Sequence, residues 1–264
     1  MSKTFEAAID LGAKQVPMIR LVDVEMRKLV DTRAGLWLMI LIGSVIVLVE
    51  SAFVITAIVY GENPPWSYLL TSMATPLGLM LAVLGIMTVT SEWGQRTSLV
   101  TFVLEPHRMR VVIAKFLAGT LTAIVLLLFT IVFTASLTWL VGQINGIDPM
   151  WDVSRSMMLG FGLTQLTGFL IGFAFGMLIP NTPAAIVVFF LYRYVFPPLL
   201  GFAALLWDWF EPIEPWINLS AALAPLSTGT ITNEETWHLI SSFGFWVCLP
   251  LALGSVLLVR REIK

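Results

Sequence analysis

"WLMILIGSVIVLVESAFVITAIVY", residues 37–60, decides the class of fold. The run holds one charged side chain, Glu50, and as a helix it would cover about 36 Å, more than the roughly 30 Å of a bilayer's hydrocarbon core. It is continuously apolar rather than alternating, so it does not read as a strand of a closed barrel. Five further stretches meet the same test, at 68–90, 112–141, 157–179, 184–206 and 239–259. Across the whole chain 58% of residues are hydrophobic and 12% charged, with a mean hydropathy of +0.88, far from a water-soluble domain. The expectation is an all-α integral membrane protein with six transmembrane helices. No fixed-period repeat, low-complexity tract or long linker divides the chain, so residues 1–264 read as one domain.

Orientation follows from Lys and Arg, which stay on the cytoplasmic side near span ends. The first 17 residues lack an apolar core, and no cleavable signal peptide is expected. With the N-terminus inside, the inner side collects Lys3, Lys14, Arg20, Arg27, Lys28, Arg33, Arg96, Arg108, Arg110, Lys115, Arg260, Arg261 and Lys264, leaving Arg155 outside and Arg193 within a span. Both termini are therefore expected in the cytoplasm. All tryptophans but Trp246 fall near span ends or in outer loops, where an aromatic belt lies. The single cysteine, Cys248 in the last span, excludes an internal disulfide or a thiolate cluster. No phosphate-binding G-x-x-x-x-G-K-[ST] loop is present, so any ATP used must be bound by another chain. Nothing in the sequence suggests a nucleic-acid partner; membrane lipid is the partner that composition requires.

Three polar features interrupt this apolar background. Residues 18–34 place Met18, Val22, Met26, Leu29 and Val30 on one helical face and Arg20, Asp23, Arg27 and Asp31 on another, a helix that should lie along the inner interface. Residues 91–111 form an inner loop far longer than a connection needs. Within it Leu99, Val100 and Val103 follow a helical period, flanked by Glu92, Arg96 and Thr97 before and by Glu105 and Pro106 after. Pro106 should end one helix and open the next, which carries Arg108 into span three. The outer segment 207–236 alternates tryptophan, acidic residues and proline, and is expected to hold a short re-entrant or interfacial helix near Leu219–Leu226.

Inside the hydrocarbon stand Glu50 and Arg193. Charge is costly there and usually paired. Counting residues from the inner surface places them roughly 20 Å and 15 Å deep, so an intramembrane ion pair is expected. Gly168, Gly172 and Gly176, at four-residue intervals in span four, offer a face for close helix packing. Pro197 and Pro198 should break span five.

The acidic residue closing span two, Glu92, followed by "QRT" (95–97), "LEPHR" (104–108) and Lys115, together with "EMRKLVDTR" (25–33), resembles the permease subunits of ABC-2 type transporters. In span number, topology and loop lengths the likeness covers nearly the whole chain; its motif is confined to about 18–35 and 91–119. The resemblance implies an ABC-2 type permease fold with an N-terminal amphipathic interfacial helix and a cytoplasmic coupling helix. The coupling loop, with Glu92, Arg96, Thr97, Leu99, Val100, Phe102, Val103, Glu105 and Arg108, would seat in a cleft of an ATP-binding subunit. Also implied are two ATP-binding cassette subunits holding ATP and Mg, no cofactor in this chain, and a second permease as a copy or paralog. It implies export across the cytoplasmic membrane of a prokaryote, of a hydrophobic or amphipathic cargo such as a lipid, drug or peptide. Spans two and five would border the path, making Thr71, Thr75, Met80, Phe190 and Tyr194 candidates to line it. Two alternatives remain at this point. An intramembrane enzyme acting on lipid would need a nucleophile and base, or several carboxylates and histidines, at membrane depth. A secondary transporter would favour broken helices in matching halves, and span five is the one break expected.

Overall fold

The computed structural model describes residues 16–94 and 107–260, and among them no strand is formed. Six helices are long and apolar enough to cross a membrane: Arg33–Tyr60, Trp66–Glu92, Arg108–Asn145, Arg155–Leu178, Thr182–Leu206 and Asn233–Leu258, spans one to six in order. They mark a multi-pass membrane protein. Each expected run falls on one of these helices and differs only at the ends, where polar capping turns extend the helix beyond the apolar window. Spans one and three stop at Gly61 (φ 65°) and Gly146 (φ 67°), left-handed positions that glycine adopts without a Cβ clash.

Spans two and four are the centre. Half or more of each apolar window is buried, 50% and 56%, against 22–28% in the other four. Lipid tails are as apolar as leucine, so helix association here depends on close backbone approach rather than on hydrophobicity. The glycines of span four supply it. A Cβ on Gly172 would stand 2.0 Å from the Ala82 carbonyl oxygen, and one on Gly85 of span two 2.3 Å from that of Phe169. Gly168 and Gly176 face the backbone of Gly78 and Ile86 in the same way. Phe169 and Phe173 fill the space beside this seam and are fully buried with Leu77, Leu81 and Leu84.

Proline interrupts three spans. Span two is built from Trp66–Ser72 and Ala74–Gly94; Pro76 has no N–H for the Ser72 carbonyl and its ring crowds that oxygen. Span five divides into Thr182–Tyr194 and Phe196–Leu206 around Val195, with Pro197 and Pro198 acting on the carbonyls of Arg193 and Tyr194. Span six widens into a π turn over Gly244–Cys248 ahead of Pro250. The expectation of a single break in span five is thus corrected: Pro76 acts in span two by the same mechanism, and span six carries the π turn ahead of Pro250.

The N-terminal helix α1, Met18–Asp31, ends one turn earlier than expected. Thr32 turns the chain in extended conformation, donates its hydroxyl to the Lys28 carbonyl (2.7 Å) and caps span one by accepting from the Gly35 amide (3.2 Å). Gly35 is required at this bend, since a Cβ would meet the Leu29 carbonyl oxygen at 2.2 Å. The bundle-facing side of α1 carries Leu29 and also Glu25, both buried, whereas Val30 is exposed. In the segment between spans five and six, Glu214–Ile217 and Leu219–Thr228 are helical. The second of these, the cap helix, packs on span four: a Cβ on Gly160 would stand 2.0 Å from the Leu226 carbonyl oxygen. At the same end, the Asp152 carboxylate accepts from the Ser67 amide (2.9 Å) and hydroxyl, tying the loop before span four to the start of span two.

Replacing Gly172 by alanine should destabilise the fold by about 1–3 kcal/mol through overpacking against backbone that cannot yield. Gly43→Ala, where a Cβ meets nothing within 4 Å, is the control and should leave the midpoint of thermal unfolding of the detergent-solubilised chain unchanged. Equal midpoints for the two variants would contradict the close-packed seam.

Candidate functional site

Four charged side chains meet where α1, the end of span two and the start of span three come together. Lys28 Nζ lies 2.7 Å from Glu25 Oε1 and 2.6 Å from Glu92 Oε1. Lys115 Nζ lies 2.7 Å from Glu25 Oε2 and 3.0 Å from Glu92 Oε1. Each lysine thus touches both carboxylates, and each carboxylate touches both lysines. Glu25, Glu92 and Lys115 are buried, at 7%, 6% and 5% exposure; Lys28 forms the rim.

Helical spacing explains the arrangement. Glu25 and Lys28 are one turn apart on the face of α1 that turns to the bundle, so both reach the same gap. Glu92 closes span two and Lys115 stands two turns into the helix that begins at Arg108. Separated charges at this depth would each lose hydration without compensation, whereas alternating signs in contact compensate one another. Burial acts to depress the Lys28 ammonium, but the hydrogen bonds and charges of Glu25 and Glu92 outweigh it and hold the pKa above its ordinary 10.5.

The same corner has two further ties. Arg108 Nη1 donates to the Leu258 carbonyl at 2.8 Å, joining the start of span three to the end of span six. Arg110 donates to the Val16 carbonyl, just ahead of α1. Both ends of the 91–111 loop are therefore fastened, one through Glu92 and the other through Arg108, Arg110 and Lys115, to α1 and span six. A displacement of that loop would be transmitted to four elements at once.

Glu92 and Arg108 of the expected coupling residues lie in this corner; Arg96, Thr97, Leu99, Val100, Phe102, Val103 and Glu105 lie outside the described residues. Glu25, Lys28 and Lys115 were not singled out as site residues, although they stand in the stretches that carry the family resemblance. A buried acid at the centre of an otherwise apolar helical face, Glu25, was the available signal.

The expected pairing of Glu50 with Arg193 is corrected by the structure. Glu50 is fully buried and accepts from the Ser72 hydroxyl at 3.0 Å, beside the break in span two; its Oε2 has no partner. Arg193 donates to the Ser220 hydroxyl of the cap helix at 2.8 Å. Depth counted along a span carries no azimuth: span one packs on spans two and three, and span five on spans two and four.

Of the candidate path residues, Thr75 lines one small cavity with Gln165 and Arg193, and Thr71 lines a neighbouring one. Met80 is partly buried against the main core. Phe190 and Tyr194 stack at 6.0 Å on the exposed side of span five. His238 lies against the Trp216 ring, with Glu234 4.0 Å from its Nε2. Compared with protein-family models and with curated proteins, the chain matches none.

Replacing Lys115 by methionine should cost about 3–5 kcal/mol, because two buried carboxylates lose a counter-charge. Adding Glu25→Gln to it should recover part of that loss in the thermal midpoint; additive losses would show that the two side chains act independently.

The raised pKa of Lys28 sets a direction with pH. Its stabilisation is complete below 10.5 and is lost as pH rises through the higher folded value. The midpoint difference between the native chain and Lys28→Met should therefore be constant from neutral pH to about 10 and shrink only above that. A difference that vanished between pH 7 and 9 would rule out the charged contact.

Proposed function

We propose that this chain is the membrane-spanning permease subunit of an ATP-driven ABC exporter, of the ABC-2 type. It works in the cytoplasmic membrane of a prokaryote with both termini in the cytoplasm, and moves a hydrophobic or amphipathic substrate such as a lipid, drug or peptide. ATP and Mg are bound by two separate ATP-binding cassette subunits, and a second permease, a copy or a paralog, completes the assembly. The chain itself transports and does not hydrolyse ATP.

The observation that carries this reading is the four-membered charge cluster. A polar loop in a membrane protein that binds a force-generating partner has to deliver displacement to the helices, and a loop that merely connects them does not. Here the residues bounding the loop are fastened by buried ion pairs to α1 and, through Arg108, to the end of span six. Loop 91–111 then acts as the coupling element, α1 as the lever that passes its motion along the membrane surface, and Glu92 and Lys115 as the fulcrum between them. The lack of a phosphate-binding loop in the sequence fits a division of labour between chains.

One observation favours a second reading, a secondary transporter. Spans two and five, the middle helices of the two halves of the chain, are both proline-interrupted near the hydrocarbon region, and matched interruptions are a mark of such carriers.

The two readings separate in one experiment. The tagged chain, solubilised from its native membrane with its binding partners, should bring down an ATP-binding subunit whose hydrolysis is detectable, and Glu92→Gln, which keeps the side chain's shape and hydrogen bonding, should weaken the coupling of that hydrolysis to cargo movement in proteoliposomes. A preparation with transport activity and no ATPase, or full coupling in Glu92→Gln, overturns the exporter reading.

A further inference from the structure

The break in span two, the break in span five and the cap helix enclose one cavity. Its walls include Thr75 and Gly78 of span two, Gln165 of span four, Tyr192 and Arg193 of span five and Ser220 of the cap helix, with apolar side chains of the same helices between them. Its volume is about 40 Å³, room for a few waters or one small polar group. The lining is chemically unusual for a membrane interior. Arg193 brings a permanent positive charge on a planar fork of five N–H donors, and its hydrogen bond to Ser220 engages one of them. Among the described residues no carboxylate pairs with it: Glu50 is fully buried on Ser72 and has no route to it.

Gln165 adds the second half. It is fully buried; its Nε2 donates to the Ala74 carbonyl at 3.1 Å, which fixes the amide orientation, and its Oε1 has no partner. That carbonyl at 74 lies next to the Pro76 interruption, and Thr75 and Thr164 stand on the same walls. A guanidinium without a counter-ion is expensive inside a membrane, and an orphaned buried acceptor carries its own desolvation cost. Both are relieved by one ligand chemistry: an anionic oxygen for Arg193, on a group that also offers an O–H or N–H to Gln165.

We propose that this cavity, formed by Arg193, Gln165, Thr75 and Ser220 at the meeting of the two broken helices, binds the anionic, hydrogen-bond-donating headgroup of a single-chain or lipid amphiphile. The cavity admits a headgroup and not a whole amphiphile, so the apolar chain lies along the exposed face of span five, which carries the stacked rings of Phe190 and Tyr194. A cationic headgroup is repelled by Arg193, and a neutral one leaves the charge uncompensated. This deepens the permease reading by naming its cargo class, and rests on that reading for the word cargo; the binding itself does not require an ATPase.

The test uses the full chain in phosphatidylcholine nanodiscs, with octyl phosphate as the probe near pH 6, where a phosphate monoester keeps part of its O–H. Calorimetric titration, corrected with empty nanodiscs, should show saturable binding, and octyltrimethylammonium should show none. Arg193→Gln should weaken octyl phosphate binding by about tenfold or more and Arg193→Lys by less, because lysine keeps the charge but not the fork. Should Arg193→Gln fail to fold, Thr75→Phe fills the cavity from its exposed rim and should abolish binding with the helical circular dichroism unchanged. Nanodiscs containing phosphatidylglycerol distinguish the source: suppression of octyl phosphate binding identifies a bilayer lipid as occupant, and undiminished binding identifies a soluble amphiphile. Equal binding of octyltrimethylammonium, or full binding in Arg193→Gln or Thr75→Phe, overturns the proposal. Since no ATP-binding subunit is in the sample, failure here leaves the exporter reading to its own experiment.

Discussion

Alternating charges at one corner of the bundle, Glu25 and Glu92 against Lys28 and Lys115, hold together elements that hydrophobic burial alone would leave loosely related. In a bilayer, apolar side chains exchange lipid contacts for protein contacts at little gain, so a short helix such as α1 has no strong reason to dock on the spans beside it. A buried ionic contact gives it one. Three of the four groups are more than nine-tenths buried, and separating any one strands the others in a medium that does not solvate them. The cluster is therefore stiff where the chain around it changes direction, at Thr32 between α1 and span one and at the two ends of the 91–111 loop.

Stiffness at that end contrasts with the middle of the membrane. Spans two and four lock through glycine against backbone, yet span two is also one of the helices that proline interrupts, and its break lies beside Glu50, Gln165 and the Arg193 cavity. Polar groups freed or oriented by those breaks could not exist facing lipid; they persist because neighbouring helices and the cap helix enclose them. The bundle thus combines a rigid seam, a charged anchor at one end and a polar cavity between interrupted helices, arranged so that span two takes part in all three. The same helix, Ala74–Gly94, carries Glu92 at one end and contributes Thr75 and Gly78 to the cavity wall.

The six apolar helices, the helix at 18–31, the short helix near 219–228 and the glycine face of span four were all legible in the sequence, because hydrophobic length, helical period and small-residue spacing are properties of contiguous residues. Pro76 stands inside a continuous apolar run, where hydropathy alone does not show the carbonyl of Ser72 that it leaves without a donor. The charge cluster was half visible: its residues stand in the stretches that carry the family resemblance, without any sign that they touch. Glu25 and Lys115 are 90 positions apart, Lys28 and Glu92 64 apart, and no periodicity relates residues across such distances.

Glu50 and Arg193 show where the boundary lies. Sequence determined that each sits within the hydrocarbon and roughly how deep, since rise per residue converts position into height. It did not determine which way either faces, or which helices are neighbours, because those follow from how glycine, phenylalanine and proline positions on six helices fit together laterally. Tertiary packing placed span one against spans two and three and span five against two and four, gave Glu50 to Ser72 and Arg193 to Ser220, and left the guanidinium beside Gln165 in a cavity of its own. Composition and hydropathy fix the heights of side chains in a bilayer; only close packing between backbones fixes their partners.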